Sequence, residues 1–316
     1  MKNLSKIFVG VDVSKNFLDV AFYPINKHFR VTNNEVGIKN IVKKLLTQNI
    51  VRIACESSGG YEHVMIKALK NFGYHVKLLD PKLVRYFILA QSVKAKTDKI
   101  DAHMIAFYIA SNAPKYIQEV RSDEDEELRD LIHMRYNFIE DIAREKKRLK
   151  QVVTQISKDL IFQHICHLKQ QVELIESKTK QLIKNNDSWN KKSIILQSMP
   201  GIGNIVASAL ITEMRELGKI KNKQAAALLG VAPYTKQSGT YEGLSNISGG
   251  RFMIRKIVYM GALSACHSKG KLSQYYKRLK SKGKKPKVCV IAVMNKIISI
   301  ANTLIRKNEL WKPHII

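Results

Sequence analysis

Acidic side chains are scarce in this chain. Its 316 residues hold 26 Asp and Glu against 54 Lys and Arg, a net charge of +28. An imbalance of that size points to a polyanionic partner rather than to an ordinary solvated basic face. Cysteine is sparse too: Cys55, Cys166, Cys266 and Cys289 stand far apart, with no C-x-x-C pair. Their spacing excludes a zinc ribbon and a disulfide framework. The nine histidines show no metal-ligand spacing. The opening Met1-Lys2-Asn3-Leu4-Ser5-Lys6 lacks the apolar run of a signal peptide. The most apolar late stretch, residues 288–305, is interrupted by Asn295-Lys296 and Asn302. It reads as a buried or amphipathic helix, not a membrane span. No membrane partner is expected, and the expected location is the cytoplasm.

What is present is a soluble globular composition, 45% apolar and 25% charged, in a length that suits two or three domains. The positive charge is unevenly placed. From Arg251 onward there are sixteen Lys and Arg and one acid, Glu309, and residues 243–308 contain no acid at all. A segment so one-sided repels itself unless something anionic lies against it.

Residues 1–117 alternate strand and helix signals. Residues 7–13, 17–23 and 28–32 read as three consecutive strands, with turn signals at Ser14-Lys15-Asn16 and Pro24-Ile25-Asn26. Two further strands, near 50–55 and 75–79, alternate with helices. Asp80-Pro81 supplies a cap and a first-turn proline. The predicted order is β-β-β-α-β-α-β-α-α, an α/β ribonuclease-H-like topology rather than a doubly wound sheet, which lacks an opening meander. Residues 118–188 carry two stripes with spacings of three and four. The first is Leu128, Leu131, Arg135, Phe138, Ile142, Glu145, Leu149, Val152 and Ile156; the second is Ile165, Leu168, Val172, Ile175, Thr179 and Leu182. They predict an α-helical coiled-coil hairpin turning near residues 157–163, within one chain or between two. Residues 189–316 read as a third, mainly α domain.

Four of the few acids form the strongest constellation. Asp12 lies inside the apolar run Val9-Gly10-Val11-Asp12-Val13, Glu56 ends Ile53-Ala54-Cys55-Glu56, and Asp98 and Asp101 are three apart in Lys96-Thr97-Asp98-Lys99-Ile100-Asp101. A helix puts the last two on one face. Burying an unpaired carboxylate costs several kcal/mol, and a divalent metal offsets that cost while serving phosphodiester chemistry. Asp19, Glu62 and Asp80 lie near the same sheet edge but are set aside, Asp19 as a mid-strand residue and Asp80 as a helix cap.

The C-terminal half offers a second set. Met199-Pro200-Gly201-Ile202-Gly203 precedes a helix, and its glycines allow backbone N–H groups to approach a phosphate. Ser238, in Lys236-Gln237-Ser238-Gly239-Thr240, is a candidate nucleophile, with Thr240 and Ser245 as rivals; a plain turn serine is the commoner reading of such a local sequence. Gly201, Gly203, Lys236, Arg251, Arg255, Lys256, Lys284, Lys285 and Lys287 are the candidate nucleic-acid contacts, with Tyr275 and Tyr276 interleaved for stacking.

Taken in order, Val9-Gly10-Val11-Asp12-Val13-Ser14-Lys15, Cys55-Glu56-Ser57-Ser58-Gly59-Gly60-Tyr61, Lys96-Thr97-Asp98-Lys99-Ile100-Asp101-Ala102, Met199-Pro200-Gly201-Ile202-Gly203, Leu229-Gly230-Val231-Ala232-Pro233 and Gln237-Ser238-Gly239 span nearly the whole chain. They resemble the DEDD-type transposases of bacterial insertion sequences, the IS110 group, and its DNA-invertase relatives. The resemblance implies a RuvC-like domain in which Asp12, Glu56, Asp98 and Asp101 hold Mg²⁺. It also implies a C-terminal domain in which Ser238 attacks a DNA phosphodiester and forms a covalent phosphoserine intermediate. It implies as partners element-end and target DNA, a bridge RNA that pairs with both, and further copies of the chain in a dimer or tetramer. A nucleoid-associated location follows. Two other readings remain beside it: a Holliday-junction-resolvase-like nuclease using metal-activated water, and a non-enzymatic nucleic-acid scaffold. The complete quartet argues against the scaffold, and the serine loop argues against the resolvase.

Overall fold

The computed structural model describes residues 6–92, 97–111, 122–235, 237–238, 241–242 and 245–312, with residues 237–238 and 241–242 described as backbone only. The chain divides into two compact units, Met1–Ser122 and Asp123–Ile316.

In the first unit the opening meander is β1 (Ile7–Val13), β2 (Phe17–Tyr23) and β3 (Lys27–Thr32). It is followed by α1 (Glu35–Leu45), β4 (Ile50–Glu56), α2 (His63–Asn71), β5 (Val76–Leu79), α3 (Pro81–Ala90) and α4 (Asp98–Ser111). Element order and type match the sequence expectation. The sheet order is β3-β2-β1-β4-β5; β1, β2 and β3 pair antiparallel, whereas β4 pairs parallel with both β1 and β5. β1 is apolar along nearly its whole length because both its faces are covered. Ile7, Val9 and Val11 pack with Ile38, Ile41 and Leu45 of α1 and Met65 and Leu69 of α2. On the other face, Ala54 and Leu79 join Val84 of α3 and Ile105 and Ile109 of α4. Local chemistry sets the helix starts. Asn34 Oδ1 accepts from Gly37 N at 3.0 Å to cap α1, and Asp80 Oδ1 accepts from Lys82 N at 2.9 Å to cap α3. Thr97 Oγ1 accepts from Ile100 N at 3.3 Å at the start of α4.

The second unit opens with two long helices, α5 (Asp123–Leu149) and α6 (Gln155–Asn185). Leu128, Ile142, Glu145, Ile165, Leu168, Val172, Ile175 and Thr179 of the predicted stripes are buried, and Arg135 Nε donates to Glu176 Oε1 at 2.7 Å across the hairpin. The turn comes earlier than residues 157–163. Val152-Val153-Thr154 is a β-branched run that disfavours helix, and Thr154 adopts an extended φ of −72° and ψ of 141°. Ile156, placed by the sequence in the apolar stripe, is 71% exposed.

The remaining helices are α7 (Asp187–Gln197), α8 (Asn204–Glu213), α9 (Asn222–Leu229), α10 (Phe252–His267), α11 (Lys271–Ser281) and α12 (Pro286–Lys307). Between α9 and α10 lie the two-residue strands β6 (Pro233–Tyr234), β7 (Gln237–Ser238), β8 (Tyr241–Glu242) and β9 (Asn246–Ile247). By length and apolarity α12 passes the test for a membrane-crossing helix, yet Val290, Val293, Met294, Ile297, Ile298 and Ala301 are core residues of this unit. Its interruption, Asn302, is fully buried and fully used. Asn302 Nδ2 donates to Ile220 O at 2.9 Å and Asn222 Oδ1 at 2.7 Å, and Oδ1 accepts from Gly218 N at 2.7 Å. Asn302→Ala leaves the Gly218 N–H without its partner, while the Ile220 carbonyl keeps Arg306 Nη2, an expected loss of about 1–3 kcal/mol. A shift in the urea midpoint measures it, and an unchanged midpoint would mean that water takes over those bonds.

Candidate active site

The carboxylates of the first unit are placed by strand register. Asp12 on β1 is paired with Asp19 on β2, and Asp19 with Arg30 on β3. Directly opposed residues project from the same face of a sheet, so the three side chains form a row. Asp19 is buried, with its side chain 4% exposed. Asp19 Oδ1 lies 2.7 Å from His28 Nε2, and Asp19 Oδ2 accepts from Arg30 Nε at 2.9 Å. The same guanidinium reaches on through its Nη2 to Asp98 Oδ2 at 2.6 Å. One arginine thus bridges the sheet to the first turn of α4.

Gly10 lets that helix sit so close. It lies two residues before Asp12 and faces the same way. A Cβ there would stand 2.2 Å from Ala102 O and 2.4 Å from Ala106 N. The close approach brings Asp98 and Asp101 to bear on Asp12. The Asp12 carboxyl is raised from 3.8 to about 6, by burial first and then by Asp101, Asp98 and Asp19, against a backbone hydrogen bond at Val13. Glu56 ends β4, whose parallel register sets Cys55 beside Val11, so Glu56 comes next in line beside Asp12.

The structure therefore brings Asp98 and Asp101 to Asp12 and sets Glu56 at the end of the neighbouring strand. Among the described residues, however, no three His, Cys, Asp or Glu side chains form a ready metal-holding group; Asp98 is bonded to Arg30 instead. The chemistry of the donor set still fits a hard dication. All four donors are carboxylates, the ligands Mg²⁺ prefers, and the repulsion raising Asp12 is what such a charge offsets. Sequence reasoning passed over Asp19, His28 and Arg30. Their signal was the hairpin itself: a turn at residues 14–16 places residue 19 opposite residue 12. Glu62, also set aside, is 2% exposed and organises the loop after β4, accepting from Ser58 Oγ at 2.6 Å and Gly60 N at 2.9 Å. Burial alone would raise its carboxyl, but these hydrogen bonds hold it below the usual range.

In the second unit, Ser238 is a backbone position of β7 paired with Tyr241 of β8. Lys236 and Thr240 lie outside the described residues. Ser245, the other rival, has its hydroxyl 3.3 Å from that of Thr235. Gly201 has a φ of 80°, and a Cβ there would lie 2.2 Å from Gly261 O of α10, so its glycine is required by packing as well as by the turn. Gly203, the residue before α8, has open space around it. Three predicted phosphate contacts have partners within the unit. Arg251 binds the Glu213 carbonyl and Glu216, whose Oε2 accepts at 2.9 Å. Arg255 Nη1 donates to Gly249 O at 2.6 Å, and Lys256 Nζ donates to Tyr136 Oη at 2.9 Å. Lys284, Lys285 and Lys287 are exposed at the start of α12.

Comparison with known proteins matches the same two regions. A family model described as a transposase, the DEDD transposases of the IS110 type, matches residues 9–158, and one described as the transposase IS116/IS110/IS902 family matches residues 193–277. The pilin gene-inverting protein of Moraxella bovis is 24% identical over 328 aligned residues, covering 99% of each chain. The transposase for insertion sequence element IS1533 of Leptospira borgpetersenii is 24% identical over 253, covering 69% of this chain and 72% of its own.

Proposed function

We propose, because the chain belongs to the IS110 family of transposases, that it excises and inserts a DNA segment with a four-carboxylate Mg²⁺ site and a serine nucleophile. The observation that carries the metal site is the row Asp12, Asp19, Arg30 with Asp98 and Asp101 laid across it: partial burial of Asp12, then the charges of Asp101, Asp98 and Asp19, push its carboxyl up to about 6. The sheet order β3-β2-β1-β4-β5 supports a ribonuclease-H-like, RuvC-like reading of the first unit. Asp12, Glu56, Asp98 and Asp101 would hold the ion, which when bound would supply a Lewis acid for a phosphate oxygen and a counter-charge for the leaving oxygen. Asp19, itself held by His28, fixes Arg30 from behind, so that its outer edge stays at the site whatever Asp98 binds.

The Ser238 hydroxyl attacks phosphorus. Its O–P bond forms as a deoxyribose oxygen departs with a proton, leaving a phosphoserine link that a second deoxyribose hydroxyl later displaces. The partners are element-end and target DNA, a guide RNA that supplies sequence choice by base pairing, and further copies of the chain in a dimer or tetramer. Inversion of a DNA segment is the second reading. It uses the same strand chemistry and is favoured by the named activity of the Moraxella relative.

The test is a covalent protein–DNA adduct on denaturing gels, with element-end DNA, Mg²⁺ and any RNA encoded beside the gene. Wild type is expected to form it and Ser238→Ala to lose it completely. Cleavage without an adduct that survives Ser238→Ala would replace the serine mechanism with a resolvase-like hydrolysis.

A further inference from the structure

On the edge strand of the first unit, beside the carboxylate row, lies an open cleft of about 540 Å³. Its polar lining comes from four places in the chain: Asn26, Lys27 and His28 at the start of β3, Lys44 at the end of α1, Thr47 and Gln48 just after it, and Lys99 in the first turn of α4. No carboxylate lines it. Ammonium, amide and hydroxyl groups converge there as donors, an arrangement that suits anionic oxygen. Neither aromatic ring of the lining is open to a base: Phe22 is buried in the core, and Lys44 Nζ sits 3.8 Å from the centroid of the Phe29 ring. The cleft is therefore built for a backbone and not for base edges. Lys99 directly follows Asp98, so a strand in the cleft runs up to the helix turn that carries the carboxylates.

We propose that this cleft binds the phosphodiester backbone of a nucleic-acid strand, gripped by Lys27, Lys44 and Lys99 without sequence preference. The inference rests on the chain acting on nucleic acid, and it adds to the first unit a binding surface that the C-terminal charge alone does not predict.

The test compares two triple variants of the full chain, Lys27→Gln/Lys44→Gln/Lys99→Gln and the control Lys39→Gln/Lys70→Gln/Lys82→Gln, which removes equal charge from exposed positions on α1, α2 and α3. Binding to a DNA duplex, to single-stranded DNA and to RNA of one sequence is titrated across salt without divalent metal, after thermal melts show both variants folded. Each phosphate contact contributes about 0.7–0.9 to the slope of log K against log salt. The cleft variant is expected to lose about 2 in slope and at least about tenfold in affinity, on whichever strand type lies there; the control is expected to lose under about twofold. Equal losses in the two triples, or none in the cleft variant, overturn the cleft as a site while leaving the proposed function standing. A wild-type chain that binds none of the three probes overturns both.

Discussion

Asp12→Asn is expected to abolish strand cleavage and, without divalent metal, to make the protein more stable. Both effects come from one feature. The folded chain holds the Asp12 carboxyl up at about 6 from 3.8, through burial and through Asp101, Asp98 and Asp19. A raised carboxyl leaves the folded state at no disadvantage below pH 3.8, where it is protonated folded and unfolded. The disadvantage grows as pH rises toward 6, because the folded state then carries a charge it disfavours, and it is complete above that. Solvent reaches part of this carboxyl and screens it, so the cost is about 1–2 kcal/mol. Asn keeps the shape and removes the charge. Melts in EDTA should show a gain for Asp12→Asn at pH 8 that disappears near pH 4. The same substitution takes a ligand from the proposed Mg²⁺ site, where polarisation of a phosphate is worth several kcal/mol; about 4 kcal/mol is a loss of about 10³-fold in rate. A variant equally stable at pH 8, or stabilised by the same amount at both pH values, would mean that the carboxylates do not crowd Asp12. Full cleavage activity would remove Asp12 from the site.

Much of this arrangement is legible in the sequence because it rests on local signals. The apolar runs along residues 7–13 and 17–23 with a turn between them, the Asp80-Pro81 cap and the three-residue spacing of Asp98 and Asp101 each specify an element or a face on their own, and the structure reproduces the element order. What was not legible depends on pairing across elements. In the sequence Asp19 reads as an ordinary mid-strand residue, yet its mid-strand place is what sets it opposite Asp12 and Arg30. The hairpin turn fell earlier than expected because β-branched residues at 152–154, rather than glycine or proline, end the helix. Arg251, Arg255 and Lys256 stand out when charge is counted along the chain; the fold adds partners that the sequence does not show, carbonyls, a carboxylate and a tyrosine of their own unit. A positive charge in sequence says nothing of which partner reaches it first.

Gly10 offers the sharpest separation of packing from chemistry. It touches no ligand and holds no proton; its part is to let α4 lie against β1. Gly10→Ala puts a methyl 2.2 Å from Ala102 O and 2.4 Å from Ala106 N, both backbone atoms that no rotamer change can move aside. The helix must lift, and it carries Asp98 and Asp101 away from Asp12. Overpacking against a rigid element costs about 1–3 kcal/mol or more, so the urea midpoint should fall. Cleavage should fall further than the folded fraction does, because a displacement of about 1 Å at a reacting centre costs about 10²-fold. The measurement is kcat/KM at a temperature where circular dichroism shows Gly10→Ala fully folded. The crowding at Asp12 should relax as well, so Asp12→Asn should give less added stability in the Gly10→Ala background than in wild type, a coupling that a double-mutant cycle reads directly. A variant that is destabilised yet cleaves normally would show that α4 does not need to be seated on Gly10 for the carboxylates to work.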